Sequence, residues 1–162
     1  MDKKQNMLSA DEALAFLLAR ARPANKIEQI ATTDALGRVL AERLTSAVNV
    51  PPLDNSAMDG YAVRIADLVN ASTRLRVTQR IPAGTVGMPL EAGQAARIFT
   101  GAPVPAGCDA VVMQEYCGVE GDTVTVGKPP KMGENIRRSG EDIAAGAEIL
   151  PAGIRLRPQE MG

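Results

Sequence analysis

Glycine and proline set the tightest limit on what this chain can build. The 162 residues include 15 glycines and 11 prolines, nearly all after Thr45. Proline fixes φ and removes a backbone donor, and glycine loses the most conformational freedom when a regular element orders it. The stretches between them are therefore short. Several alternate apolar and polar residues with the period of two that marks a half-buried strand. The alternation runs through residues 61–67, through Leu75, Val77 and Gln79, and through residues 123–126; residues 96–100 make a further short strand, and 110–114 an apolar run rich in β-branched valine. A last apolar stretch, 148–156, holds Ile149, Leu150, Ile154 and Leu156 around Pro151 and Gly153. Short strands bounded by turn residues predict a β-rich architecture without βαβ winding.

Before Thr45 the pattern is different. Residues 9–22 read as a helix. Ser9 and Glu12 form a capping-box pair, Leu14, Leu17, Leu18 and Ala21 share one face, and Pro23 ends the run. Residues 27–32 make a short strand candidate. Thr33 then caps a second helix with Leu36, Val39 and Leu40 on its buried side, although Gly37 weakens it. Leu44, Ser46, Val48 and Val50 share one side of a strand that runs into Pro51. The expectation is an α+β, β-rich fold. A central β module, 53–140, is inserted into a discontinuous helix-and-strand module made of 1–52 with 141–162.

Composition closes off several functions. Aromatic residues are 2% of the chain, so the core must be aliphatic and no base-stacking platform for nucleic acid is available. A formal net charge of -1 gives no bulk attraction to nucleic acid or to an anionic membrane. The chain has no histidine, which excludes His-dependent triads and His-ligated metals within it. Acid–base work falls to Asp, Glu, Lys, Tyr or water, and any bound metal is a hard, oxygen-liking ion such as Mg²⁺. Cys108 and Cys117 lack zinc spacing and read as reduced, partly buried thiols. No apolar run reaches membrane-span length, and MDKKQN leads into no signal-peptide core. A soluble cytoplasmic protein is expected.

The chemistry-bearing residues gather in residues 51–64, PPLDNSAMDGYAVR. Pro51 and Pro52 end the preceding run. Asp54, Asn55, Ser56, Asp59 and Gly60 are turn-formers, and Tyr61 and Val63 begin a strand. Loops held by rigid elements commonly carry function. Asp59 stands first: before Gly60, its carboxylate suits a Mg²⁺ ion or a ligand donor, and equally an Asx turn. Thr100 closes the RIFT strand beside Gly101, with Pro103 and Pro105 stiffening the loop beyond it. Gln114 and Glu115 end the VVMQE strand and suit the same cleft or plain solvation. Arg137 and Arg138 are adjacent, so on a strand they face opposite ways. Arg137 suits an anionic ligand, and Asp142 an arginine partner; an intramolecular network between modules explains both equally well. The segment lacks the GK[ST] ending of a phosphate-cradling loop.

Three stretches carry a resemblance: DNSAMDGYAVR, RIFTGAPVPAGCDAVVMQE (97–115) and NIRRSGEDI (135–143). In this order and spacing they resemble the MoeA family, the molybdopterin molybdenumtransferases that include the E domain of gephyrin. The resemblance covers nearly the whole chain and supports the discontinuous layout. It implies insertion of molybdate into adenylylated molybdopterin, with Mg²⁺, to give molybdenum cofactor and AMP. It implies catalytic roles for Asp59 and Thr100, with Asp59 also a metal ligand. It makes Arg137, Asp142 and Ser56 substrate-binding candidates, although Ser56 also suits shaping the loop. It implies a homodimer in which this region faces the partner's pterin-binding domain. Molybdopterin adenylyltransferase and molybdoenzyme maturation proteins are the implied partners. Family members continue, beyond the point matching PQEMG, into that pterin-binding domain and a small β domain, so an N-terminal part of a longer protein is expected. The alternative is a non-catalytic dimerisation or partner-binding module derived from the family.

Overall fold

The computed structural model describes residues 7–22, 26–70 and 72–161. It divides the chain into two compact units, one of residues 42–154 and one of 1–41 with 155–162. The expected boundaries lay further in, at 52 and 141. Residues 42–52 and 141–154 pair with one another inside the larger unit: β1 (Leu44–Thr45) is antiparallel to β10 (Glu148–Leu150), and Val50 bridges Ile143.

In the smaller unit, α1 (Ala10–Leu18) begins at Ser9 with the predicted capping box. The Ser9 amide donates to Glu12 Oε2 at 2.8 Å, and the Glu12 amide to Ser9 Oγ at 3.3 Å. The helix ends at Leu18, earlier than the expected 22; Pro23, the expected terminator, lies outside the described residues. Its apolar stripe is exposed, with Leu17 and Leu18 both at 65%. The expected strand at 27–32 and the helix after Thr33 are not formed. One 3-10 turn, Thr32–Asp34, stands there instead. The reason lies at Gly37. Its φ of +78° leaves helical space, its amide donates to the Leu156 carbonyl at 2.8 Å, and the Leu156 amide donates to the Arg38 carbonyl at 2.8 Å. Pairing with the C-terminal segment replaces helix propagation.

The larger unit is built on a six-stranded sheet in the order β6-β3-β5-β4-β8-β7. The strands are β3 (Gly60–Val63), β4 (Arg74–Ile81), β5 (Gln94–Ile98), β6 (Ala110–Met113), β7 (Cys117–Glu120) and β8 (Thr123–Val126). Only β4 and β5 pair in parallel, with a register irregularity between Val77 and Gln79; the other ladders are antiparallel. A parallel pair needs a crossover, and residues 82–93 supply it without a helix. Gln79 holds that crossover through both ends of its amide, donating to the Met88 carbonyl at 2.7 Å and accepting from the Met88 amide at 2.8 Å. A separate short pair joins β2 (Asn55–Ser56) to β9 (Ile136–Arg137).

The sheet is packed on both faces, and the period of two sorts its residues. Tyr61, Val63, Leu75, Val112, Val124 and Val126 form one buried cluster. Ala62, Ile81, Leu90, Ala96, Ile98 and Val111 form the other. Both clusters are overwhelmingly aliphatic, as the shortage of aromatics requires. β3 is buried at all four residues, and both its edges are paired. The strand β7, not anticipated from sequence, covers β8 with a mostly exposed edge. Cys108 and Cys117 are free thiols, each pushed up to about 11 chiefly by burial.

Gly60 decides whether β3 can lie against β6. A Cβ there would sit 2.0 Å from the Val112 carbonyl oxygen, which is backbone and cannot swing aside. At Gly118 in β7 the nearest atom is Thr125 Cβ at 4.0 Å. Gly60→Ala is expected to cost about 3 kcal/mol or more, the upper range of overpacking. Gly118→Ala should stay within about 0.5 kcal/mol. Urea unfolding of both variants beside the parent checks the contrast.

Candidate functional site

Asp59 immediately precedes β3, and Thr100 follows β5 by two residues. Gly60 and Ile98 are partners across the antiparallel ladder, so Asp59 and Thr100 lie at the same end of the sheet. The Asp59 carboxylate closes that end. Its Oδ1 accepts from the Thr100 amide at 2.8 Å and from Thr100 Oγ1 at 2.8 Å. The Asp59 carbonyl accepts from the Gln114 amide at 3.1 Å, which adds the exit of β6. Thus Asp59, Thr100 and Gln114, from three separate stretches of sequence, are brought together.

The electrostatics favour an ionised carboxylate. The Thr100 amide, then the Thr100 hydroxyl, hold the Asp59 carboxyl below the ordinary aspartate range, and Arg97 adds a smaller attraction. Asp59 Oδ2 accepts no hydrogen bond among the described residues, so one carboxylate oxygen is fixed and the other is free to meet a ligand. Thr100 is exposed beside Gly101, whose φ of +79° turns the chain away from the sheet.

Arg97, which no sequence pattern singled out, is the cation of this site. Nη1 donates to the Gly60 carbonyl at 2.8 Å and the Ile98 carbonyl at 3.1 Å; Nη2 donates to Gln114 Oε1 at 2.6 Å. The guanidinium lies 4.4 Å from the Phe99 ring centroid and 5.4 Å from that of Tyr61. Arg80 stacks over the same Phe99 ring at 4.4 Å. The only sequence signal was Arg97's position inside the RIFT strand, where alternation says which side of the sheet it takes but not which carbonyls it reaches.

Ser56 contributes through its backbone. Its side chain is buried, and its hydroxyl donates to the Met58 carbonyl at 2.6 Å. It therefore shapes the turn and is not presented to a ligand, which corrects its expected substrate-binding role. Its amide donates to the Ala102 carbonyl at 2.9 Å and its carbonyl accepts from the Gly101 amide at 2.8 Å, so it braces the loop after Thr100. The Asn55 carboxamide oxygen is buried without a partner among the described residues.

Arg137 and Asp142 pair with each other: Nη2 to Oδ1 is 2.5 Å, and Glu141 lies 3.6 Å from Arg137 Nε. The Asp142 carboxylate, as acceptor and as nearby charge, raises the arginine further. Arg138, just past the end of β9, meets Asp54 instead. Asp54 also accepts from the Ser139 amide at 2.8 Å, and that bond first, then Arg138, lowers its carboxyl. The arginine pair is engaged in an intramolecular carboxylate network. Both members of the Arg137–Asp142 pair remain partly exposed at 39% and 50%. Among the described residues no group of three or more metal-ligating side chains is assembled, and no helix is long and apolar enough to cross a membrane.

This is a sheet-rich domain with a carboxylate–hydroxyl pair fixed at the end of its central strands, and comparison with known proteins gives it a family. Residues 8–162 match the family described as the MoeA N-terminal region (domain I and II), and the chain belongs to that family. It is 39% identical to a molybdopterin molybdenumtransferase of Haemophilus influenzae over 94% of this chain and 38% of that protein. It is 45% identical to one of Nostoc sp. over 78% of this chain and 30% of that protein. A crystal structure of the molybdopterin biosynthesis MoeA protein of Pyrococcus horikoshii OT3 superposes with a TM-score of 0.87 at 38% identity, covering 93% of this chain and 41% of that one. The chain thus spans well under half the length of these relatives, and it matches their N-terminal region.

The hydrogen bonds on Asp59 carry a pH consequence. Since the folded carboxyl is depressed, their contribution to stability is present above the unfolded aspartate value of about 3.9 and is lost as pH falls through the lower folded value. Thr100→Val removes one of the two donors to Oδ1 and should move the Asp59 titration upward. Carboxyl NMR titration of parent and variant tests this, with the parent midpoint expected to be the lower.

Proposed function

We propose that this chain supplies one wall of the active site of a molybdopterin molybdenumtransferase, the enzyme that inserts molybdate into adenylylated molybdopterin and releases AMP. The observation that carries the reading is the Asp59 carboxylate, ionised and anchored by two Thr100 donors on one oxygen, with the other oxygen unengaged. The substrates are anions; the Arg97 guanidinium supplies positive charge near Asp59, while the Thr100 hydroxyl proton is already donated to Asp59 Oδ1. Asp59 binds and orients; Thr100 holds Asp59 through both its amide and its hydroxyl. Arg137 and Asp142 are the further substrate-facing candidates, through the exposed side of their pair.

Mg²⁺ fits the donor set. It usually takes one or two carboxylates and completes its shell with water and substrate phosphates. Asp59 would hold it here through the free oxygen, and no preassembled protein cage is needed. When bound, the ion supplies charge neutralisation at phosphate and molybdate oxygens.

The remaining assignments rest on the family. The parent protein works as a cytoplasmic homodimer whose pterin-binding half is supplied outside this chain. It receives substrate from a molybdopterin adenylyltransferase and passes cofactor to molybdoenzyme maturation partners. By itself, this chain should make no cofactor; adding a pterin-binding half should restore turnover. Reconstitution of an apo-molybdoenzyme with adenylylated pterin and molybdate measures both. Turnover by this chain alone would overturn the division of labour. No turnover from the combined halves would favour the dimerisation or partner-binding module.

Asp59→Asn gives the sharper test. Asparagine keeps size and turn preference but removes the charge that a hard cation or a positioned donor needs. Turnover should fall by about 10²–10³, the loss typical of one well-placed electrostatic contact. The melting temperature of the same preparation should move little. Near-parent turnover would remove Asp59 from the chemistry.

A further inference from the structure

We propose that Arg97 is the positioning residue of this site, fixing the ends of β3, β5 and β6 so that the Asp59 carboxylate meets its Thr100 donors. Its three hydrogen bonds reach one point on each chain segment. The Gly60 carbonyl follows Asp59 directly, the Ile98 carbonyl lies two residues before Thr100, and Gln114 Oε1 belongs to the residue whose amide holds the Asp59 carbonyl. All three acceptors are neutral, so the guanidinium charge is not consumed by a hydrogen-bonded carboxylate and acts on Asp59.

The geometry demands arginine. A planar fork spans several oxygens at once and stacks its face on an aromatic ring; an ammonium is a point charge and cannot reproduce that fork. Phe99 and Tyr61 sit beside the guanidinium and hold its plane. Arg97 is half-buried in β5, between β3 and β4, a rigid mount for a group that sets others in place. Removing the fork frees the Gly60 and Ile98 carbonyls and releases Gln114, so the ends of three strands relax together. Asp59 then loses its alignment with the Thr100 amide, whose acceptor it is.

The structural arm is independent of any activity. Amide hydrogen exchange at Thr100 is measured in this chain, in Arg97→Met and in Arg97→Lys. Exchange at Thr100 is expected to rise by about tenfold or more in both variants, while the β4–β8 ladder amides keep their protection. Unchanged exchange at Thr100 overturns the proposal, as does a rise that only follows the ladder amides. If Arg97→Met does not fold, Arg97→Lys decides by the same criteria.

The catalytic consequence rests on the transferase reading above. With the pterin-binding half supplied, Arg97→Lys should lower kcat by about 10²-fold, the scale of a small misplacement, with KM little changed. Asp59→Asn combined with Arg97→Lys should lose no more than Asp59→Asn alone, because the two act as a unit. Additive losses overturn the link to Asp59. Absence of turnover in the parent overturns the transferase reading and leaves the exchange result to judge Arg97.

Discussion

The whole arrangement depends on how closely β3 approaches β6. Gly60 faces the Val112 carbonyl at a distance no Cβ can occupy. Because that side chain is missing, β3 can be paired on both edges and buried at every residue. A strand held this way has no freedom at its entry. Asp59, one residue earlier, inherits a fixed position without being buried itself. The glycine thus serves the carboxylate indirectly: it builds the mount.

Around that mount, charges are placed in order of need. Arg97 grips neutral carbonyls and an amide, and so braces the strand ends while its charge still reaches Asp59. Arg137 and Arg138 engage Asp142 and Asp54, tying residues 137–142 together and to the loop before β2. Exposed ion pairs contribute little to stability, about 0–1 kcal/mol each, so their value lies in fixing the loops and not in holding the fold together. The aliphatic clusters on the two faces of the sheet do the latter. A core with few aromatics relies on β-branched valine and isoleucine, which suit a pleated surface.

Some features were readable residue by residue. The Ser9–Glu12 capping box needs only local hydrogen bonds, and it formed as its pattern predicts. The strands through Leu75 and Val124 followed alternation, and the apolar run through Val112 formed a strand buried at Ala110, Val111 and Val112. The segment after Thr33 misled because local apolar spacing cannot register that Gly37 and Arg38 bond to Leu156, more than a hundred residues away. Ser56 is the opposite case: its hydroxyl is taken by the Met58 carbonyl two residues on, a local turn bond of the loop-shaping kind that a polar signature also allows.

The sequence by itself determined the class of fold, the family, and the choice of Asp59 and Thr100 as the residues to watch. Those rest on turn chemistry, periodicity and motif wording, all of which are local. Tertiary structure alone decided that Asp59 Oδ1 meets both Thr100 donors, that Arg97 spans three strand ends, and that 42–52 joins 141–154 within the larger unit. Each of these is a contact between segments far apart in sequence. Its existence depends on sheet order and register, and strand patterns leave both open because every alternating run can pair with every other.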